Sequence, residues 1–220
     1  MAQNQAQKGF FISFEGGEGS GKTTHIRLLK DYLVKNGQTP VITREPGGTD
    51  EAERLRQILV DQQACWSAQA EAMILFAARD HHVRHIISPA LEKGQSVICD
   101  RFTDSTRAYQ GVAMGLGVDF VDRLKEMSIG DLEPDITYIM DIPPIKGLER
   151  ARKRAQETGE GDHKYENFDM TFHQKLYAGY LEIAEKNPER CYVIDADRSI
   201  EDIHNDVLKY LEEKVRQKRL

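Results

Sequence analysis

No apolar run in this 220-residue chain approaches the roughly 20 residues needed to cross a bilayer, and the first eight residues are polar rather than a signal peptide. These absences argue against a membrane partner and for the cytoplasm. Cysteine is scarce: Cys65, Cys99 and Cys191 are odd in number and far apart, which argues against a disulfide framework or zinc cluster and leaves buried, reduced thiols. Excess positive charge is missing too. A formal net charge of −6 argues against a nucleic-acid partner gripped by phosphate neutralisation. No Pro/Gly/Ser-rich linker or low-complexity tract divides the sequence, so residues 1–220 read as a single domain with 1–8 as a disordered tail. A hydrophobic content of 40% beside 30% charge is ordinary for a chain that buries a proper core.

What the chain does contain begins at residue 16. Gly16 to Thr23 read Gly-Gly-Glu-Gly-Ser-Gly-Lys-Thr, a complete G-x-x-x-x-G-K-[ST] phosphate loop between the apolar run Gly9 to Glu15 and a segment of helical periodicity. Main-chain N–H groups of Gly16, Gly17, Glu18, Gly19, Ser20 and Gly21 can converge on the phosphates of a nucleoside triphosphate, where the helix dipole adds positive potential. Lys22 then reaches the β and γ phosphates, the Thr23 hydroxyl ligates magnesium, and Thr24 closes the set. A regulatory GTPase would also need Asn-Lys-x-Asp and Asp-x-x-Gly, and neither tetrapeptide occurs.

Four further apolar runs, Pro40 to Thr43, Ser96 to Cys99, Ile136 to Met140 and Cys191 to Ile194, alternate with helical segments. The helices are read as Thr23 to Asn36, Asp50 to Asp61, Ala68 to Lys93, Asp104 to Met114, Phe120 to Ile129, Pro144 to Glu157, Asn167 to Asn187 and Ser199 to Lys218. The fold class is therefore α/β, a five-stranded parallel sheet with helices on both faces. Ligands of such sheets bind beyond the carboxyl ends of the strands, which singles out Glu15, Arg44, Asp100, Arg101, Asp141 and Asp195.

Around those ends the sequence places Arg44-Glu45-Pro46-Gly47-Gly48-Thr49, then Asp100-Arg101-Phe102, then Ser105-Thr106-Arg107-Ala108-Tyr109-Gln110. Phosphoryl transfer uses this mixture, because its catalysis is largely positioning and charge neutralisation. Phe76 and Arg79 are one helical turn apart, a ring beside a fork donor. Gly147 to Lys164 carries Arg150, Arg152, Lys153, Arg154 and Lys164 around the hydrophilic stretch Glu157 to Asp162, which describes a mobile lid over about 147–165. His81, His82 and His85 lack the glutamate and third ligand of a metal site and read as solvated or capping.

Together these segments resemble the thymidylate kinase family, within the nucleoside monophosphate kinase group of P-loop proteins. The resemblance covers nearly the whole length. Its most specific parts are Arg-Glu-Pro-Gly-Gly-Thr from Arg44 and Ser-Thr-x-x-Tyr-Gln from Ser105. It implies ATP and Mg2+ as cofactors, transfer of a phosphoryl group to dTMP, and a homodimer through the family's second, third and sixth helices. It also implies roles. Glu15 would take the deoxyribose 3′-hydroxyl or magnesium water, and Asp100 would join Thr23 at the metal. Phe76 would stack on thymine beside Arg79; Arg44, Arg101 and Arg56 would hold the monophosphate; Ser105, Thr106 and Gln110 would read base and sugar edges. Tyr109 would exclude a 2′-hydroxyl, and Ala196, within Asp195-Ala196-Asp197, would wall the adenine. In the bacterial type whose catalytic arginine sits in the lid, the lid reads Asp-Arg-x-Glu; here His163-Lys164-Tyr165-Glu166 puts Lys164 in the arginine's place. Since Gly17, Glu18, Gly19 and Ser20 include no base, Lys164 is expected to share that duty with Arg150, Arg152 or Arg154.

Overall fold

The computed structural model describes residues 9–61, 63–158 and 163–218. Its elements are β1 (Phe11–Glu15), α1 (Lys22–Lys35), β2 (Val41–Arg44), α2 (Asp50–Val60), α3 (Ala68–His82), α4 (Ser88–Glu92), β3 (Val97–Asp100), α5 (Thr103–Thr106), α6 (Val118–Ile129), β4 (Ile136–Asp141), α7 (Pro144–Thr158), α8 (His163–Glu166), α9 (Met170–Lys186), β5 (Cys191–Asp195) and α10 (Ile200–Lys218). The five strands form one parallel sheet in the order β2-β3-β1-β4-β5.

Alternation along the strands builds a core on each side of the sheet. Ile12, Phe14, Ile98, Ile136, Tyr138 and Met140 pack against Ile26, Leu29 and Leu33 of α1 and Ile203, Val207 and Leu211 of α10. Phe11, Val97 and Cys99 face the opposite way, toward Val83, Ile87, Leu91 and Phe102. Each large side chain fully buried here contributes about 1.5–3 kcal/mol, so the three central strands anchor the molecule. The edge strands are wetter than expected, with Ile42 on β2 and Val193 on β5 about 40% exposed, because each has only one paired neighbour.

Strand ends move by one residue relative to the sequence reading. Arg44 pairs with Asp100 and Asp141 with Asp195 inside the ladders, so these residues finish their strands. Two helices also differ in kind. The segment after α3 passes through a π-helical turn, Val83–Ile87, into α4, and α5 continues as a longer one, Arg107–Ala113. The helix read from Asn167 starts at Met170 instead, because Asp169 caps α9 by accepting from Phe172 N at 2.8 Å, and the short α8 before it is absent from the sequence reading. Cys99 and Cys191 are buried, but Cys65 is exposed: it lies between α2 and α3 rather than in an apolar run.

The helix starts explain where an anion can bind. Thr49 and Ser67 cap α2 and α3 with their own side chains, and α2 adds Asp50, Glu51 and Glu53 in its first turn. α1 is preceded by Gly21 at φ 87° and has no side-chain cap and no acid in its first turn, which leaves its positive end for a ligand.

Candidate functional site

A cleft of about 740 Å³ opens at the carboxyl ends of the strands, within the range of nucleotide-sized pockets. The phosphate loop forms its floor. Lys22 folds across the loop, donating from Nζ to Gly17 O at 2.9 Å, Gly16 O at 3.1 Å and Ser20 Oγ at 3.2 Å. Burial, helped by nearby Arg101, lowers its pKa to about 8 against the pull of Glu18, Asp100 and Glu15. Thr23 and Thr24 line the cleft on the first turn of α1. Gly19 and Gly147 meet there: a Cβ on Gly19 would lie 1.9 Å from Gly147 O, so the loop and α7 touch backbone to backbone. The lid helix is thereby seated directly on the phosphate loop.

Arg101 links this floor to β3. Its backbone lies at φ 69°, a conformation costly for a side chain with a Cβ. The guanidinium donates through Nη2 to Glu18 at 2.7 Å and through Nη1 to Gly16 O at 2.9 Å, and it lies 5.2 Å above the Tyr109 ring. Tyr109 itself donates to Glu18 at 2.9 Å. Although burial pushes upward, Arg101 and Lys22 hold the Glu18 carboxyl below its ordinary range. Glu15 behaves oppositely. Burial, then Asp104, pushes it up to about 7, while bonds from Ser105 Oγ at 2.5 Å and Phe102 N at 2.7 Å and the charge of Arg101 resist.

Asp100 lines the cleft and leaves Oδ1 buried without a partner. A carboxylate oxygen and the Thr23 hydroxyl are hard donors, the kind that magnesium takes. The pair fits that ion.

The far end of the cleft is framed by α3. Arg79 is buried, donating to Glu45 at 2.6 Å, Thr106 Oγ1 at 3.0 Å and Phe102 O at 3.3 Å, with Nη1 buried and unpartnered. Phe76 is a correction. It lies beneath Arg79, whose guanidinium carbon is 4.6 Å from its ring centroid, and it is Leu75 that lines the cleft. Leu75 and Phe76 both lie one turn before Arg79 but on different flanks of it, and the flank carrying Leu75 is the one that faces the cleft. His82 is a second correction. It is fully buried and fixes Glu45 at 2.9 Å and Thr43 at 2.6 Å. Arg44 and Arg56 stand at the rim, Arg44 paired with Glu53 and Arg56 donating to Pro46 O at 3.1 Å.

The lid cations separate. Arg150 donates to Ala196 O and Asp197, both at 2.9 Å, so it braces the Asp195-Ala196-Asp197 turn. Lys164 is drawn away from the phosphate loop, to Glu71 at 2.5 Å and Leu59 O at 2.7 Å, because a buried carboxylate competes for it. Arg152 is exposed on α7. Arg154 alone of these four lines the cleft beside Glu18 and Lys22. Gly159, Glu160, Gly161 and Asp162, the center of the expected lid, and the tail 1–8 lie outside the described residues.

Sequence reasoning missed Glu71, Leu75 and Glu45. A signal for the first two existed: Glu71, Leu75 and Arg79 repeat every four residues, one buried stripe of α3 of which Leu75 and Arg79 line the cleft.

A phosphate loop at the center of a parallel sheet, joined through one arginine to the far end of the same cleft, where one guanidinium nitrogen is left unpartnered, defines a P-loop kinase of small nucleotides. The sequence model described as "Thymidylate kinase" matches residues 14–207. The chain belongs to the thymidylate kinase family. It is 46% identical over 195 residues to a thymidylate kinase of Caulobacter vibrioides, covering 88% of this chain and 91% of that one. It is 45% identical over 204 residues to that of Symbiobacterium thermophilum, covering 92% of each. The crystal structure of the thymidylate kinase from Ehrlichia chaffeensis superposes with a TM-score of 0.75 at 37% identity, covering 93% of this chain and 99% of that one.

Proposed function

We propose that this chain transfers the γ-phosphoryl group of ATP to dTMP, giving dTDP and ADP for dTTP synthesis, with Mg2+. The observation that carries this reading is the continuity of one cleft from Lys22 and Thr23 to Arg79, with Arg101 between. The phosphate loop and Lys22 hold the donor phosphates. Magnesium, held by Thr23 and by Asp100 partly through water, supplies charge neutralisation when bound. Arg101, fixed by Glu18, faces both halves and steadies the group in flight, while Arg44 and Arg56 bind the acceptor phosphate. Glu15, with Ser105, receives the sugar, and Tyr109 narrows the space beside it. Leu75 and Arg79 receive the base, with Gln110 and Thr106 completing the pocket. Arg154 is the lid cation that reaches the transferring phosphate; Arg150 and Ala196 form the adenine wall.

The chain is further proposed to act as one domain in the cytoplasm and as a homodimer. Exposed apolar side chains on three helices, Ile58, Met73 and Met127, support the dimer. Sedimentation with and without Met73→Glu tests it, and an unchanged monomer mass in both rejects it.

An acceptor screen of the common monophosphates with ATP and magnesium tests the activity. dTMP is expected to lead, and dUMP to follow, since one methyl is worth only about 1–3 kcal/mol. If dUMP or dCMP equals dTMP in kcat/KM, the thymidine assignment is lost.

A further inference from the structure

Glu71 is a carboxylate almost wholly removed from water, 2% exposed, and such a group persists only when its oxygens are paired. Three donors converge on it: Lys164 Nζ at 2.5 Å, Gln110 Nε2 at 3.0 Å and the Tyr165 hydroxyl at 3.1 Å. Lys164 and Tyr165 come from α8, and Gln110 from the π turn after α5. Gln110 lines the cleft with Leu75 and Arg79, and no described residue donates to its amide oxygen.

A glutamine amide has a donor end and an acceptor end, and half a turn exchanges them. A carboxylate accepts only. Glu71 therefore claims the Nε2 end and leaves Oε1 as the end free for a ligand. We infer that Glu71 is a positioning residue for base selection: it locks the Gln110 amide with its oxygen toward the nucleoside, which admits bases carrying a ring N3–H and rejects cytosine, whose N3 is an acceptor. This rests on the pyrimidine-acceptor reading above. Lys164 and Tyr165 pin the same carboxylate from the α8 side, so the selector is complete only when α8 is docked.

The test measures kcat/KM for dTMP, dUMP and dCMP in the wild type, in Glu71→Gln and in the exchange Glu71→Gln with Gln110→Glu, with thermal melting of each. An amide at position 71 accepts either end of Gln110, so in E71Q the dTMP:dCMP ratio is expected to fall by about tenfold or more, because a mismatched buried hydrogen bond is the main discriminator. The dTMP:dUMP ratio should stay within about threefold, since both bases carry N3–H. In the exchange variant the carboxylate stands at position 110 and again offers the ligand only an acceptor, so the ratio returns. A smaller fall in E71Q, or an equal loss for all three acceptors, overturns the inference and leaves the kinase reading intact. If E71Q does not fold, the exchange variant decides, and equal use of dCMP and dTMP by it overturns the inference. If the wild type itself uses dCMP as well as dTMP, the thymidine reading fails and the selector fails with it.

Discussion

Arg101 and Glu18 meet at 2.7 Å across the gap between β3 and the phosphate loop, and Arg101 is the one non-glycine residue with positive φ among those described. Strain, burial and a fork held on Glu18, Gly16 O and Tyr180 place this guanidinium before any nucleotide arrives. Lysine keeps the charge but not the fork. Arg101→Lys is expected to lower kcat/KM by about 10²–10³ with both substrates saturable, and steady-state kinetics showing less than a fivefold loss would remove Arg101 from the center of the reaction.

Leu75 and Phe76 give opposite outcomes. Leu75→Ala should raise KM for dTMP by about tenfold with little effect on KM for ATP, as an apolar wall of the base pocket is cut back. Phe76→Ala removes a buried ring beneath Arg79 and should cost about 3–5 kcal/mol in denaturant unfolding. Unchanged dTMP KM in L75A, with a raised KM in a well-folded F76L, would restore the stacking role to Phe76.

Arg154 is set apart from the other lid cations by position. Arg154→Ala should reduce kcat by about 10² or more, the scale of losing one cation at a transferring phosphoryl group. Arg150→Ala should instead raise KM for ATP, since Arg150 holds the Ala196 turn. If alanine at Arg150, Arg152, Arg154 and Lys164 each leaves turnover within about twofold, the lid supplies no such charge.

Protons bound at Glu15 make stability depend on pH. Burial raises its folded pKa to about 7 from 4.5, so the folded chain keeps a proton that the unfolded chain gives up between those values. Its contribution is full below about pH 4.5 and is lost as pH rises to about 7, a change on the order of 3 kcal/mol. Denaturant unfolding of the ligand-free wild type and Glu15→Gln at pH 5 and pH 8 should show the variant gaining on the wild type by about that amount at the higher pH. A difference that does not move with pH contradicts the assignment.

Asp104 is the carboxylate whose charge acts on Glu15. It is buried and accepts from Arg190 at 2.6 Å and Arg107 at 2.7 Å, with Arg107 passing on to Glu133 and Asp122. These partners, against the upward push of burial, hold its carboxyl below the ordinary range. Arg190→Met leaves part of this charge uncompensated and should cost about 3–5 kcal/mol, while kcat at 25 °C changes little. Thermal melting within a degree of the wild type would refute this.

The glycine loop, the strand count and the order of helices were legible because each depends on local signals: apolar runs, periodicity and fixed motif positions. Arg101, Asp100 and the phosphate loop could be placed together for the same reason, since strand ends in a parallel sheet share one edge. Lys164 and Phe76 could not. Where Lys164 reaches depends on Glu71, a residue 93 positions away, and which ring faces the cleft depends on a single residue of helical phase. The π turn from Arg107 to Ala113 is similarly invisible to a 3.6-residue period, yet it sets where Tyr109 and Gln110 point.

The central position of β1 also acts as a ruler. With β3 on one side and β4 on the other, the phosphate loop that follows β1 and Arg101 that follows β3 leave the sheet one strand apart, a spacing of about 4.8 Å that backbone hydrogen bonds set. The offset between the phosphate loop and Arg101 is therefore a property of the main chain, independent of which side chains line the rim of the cleft.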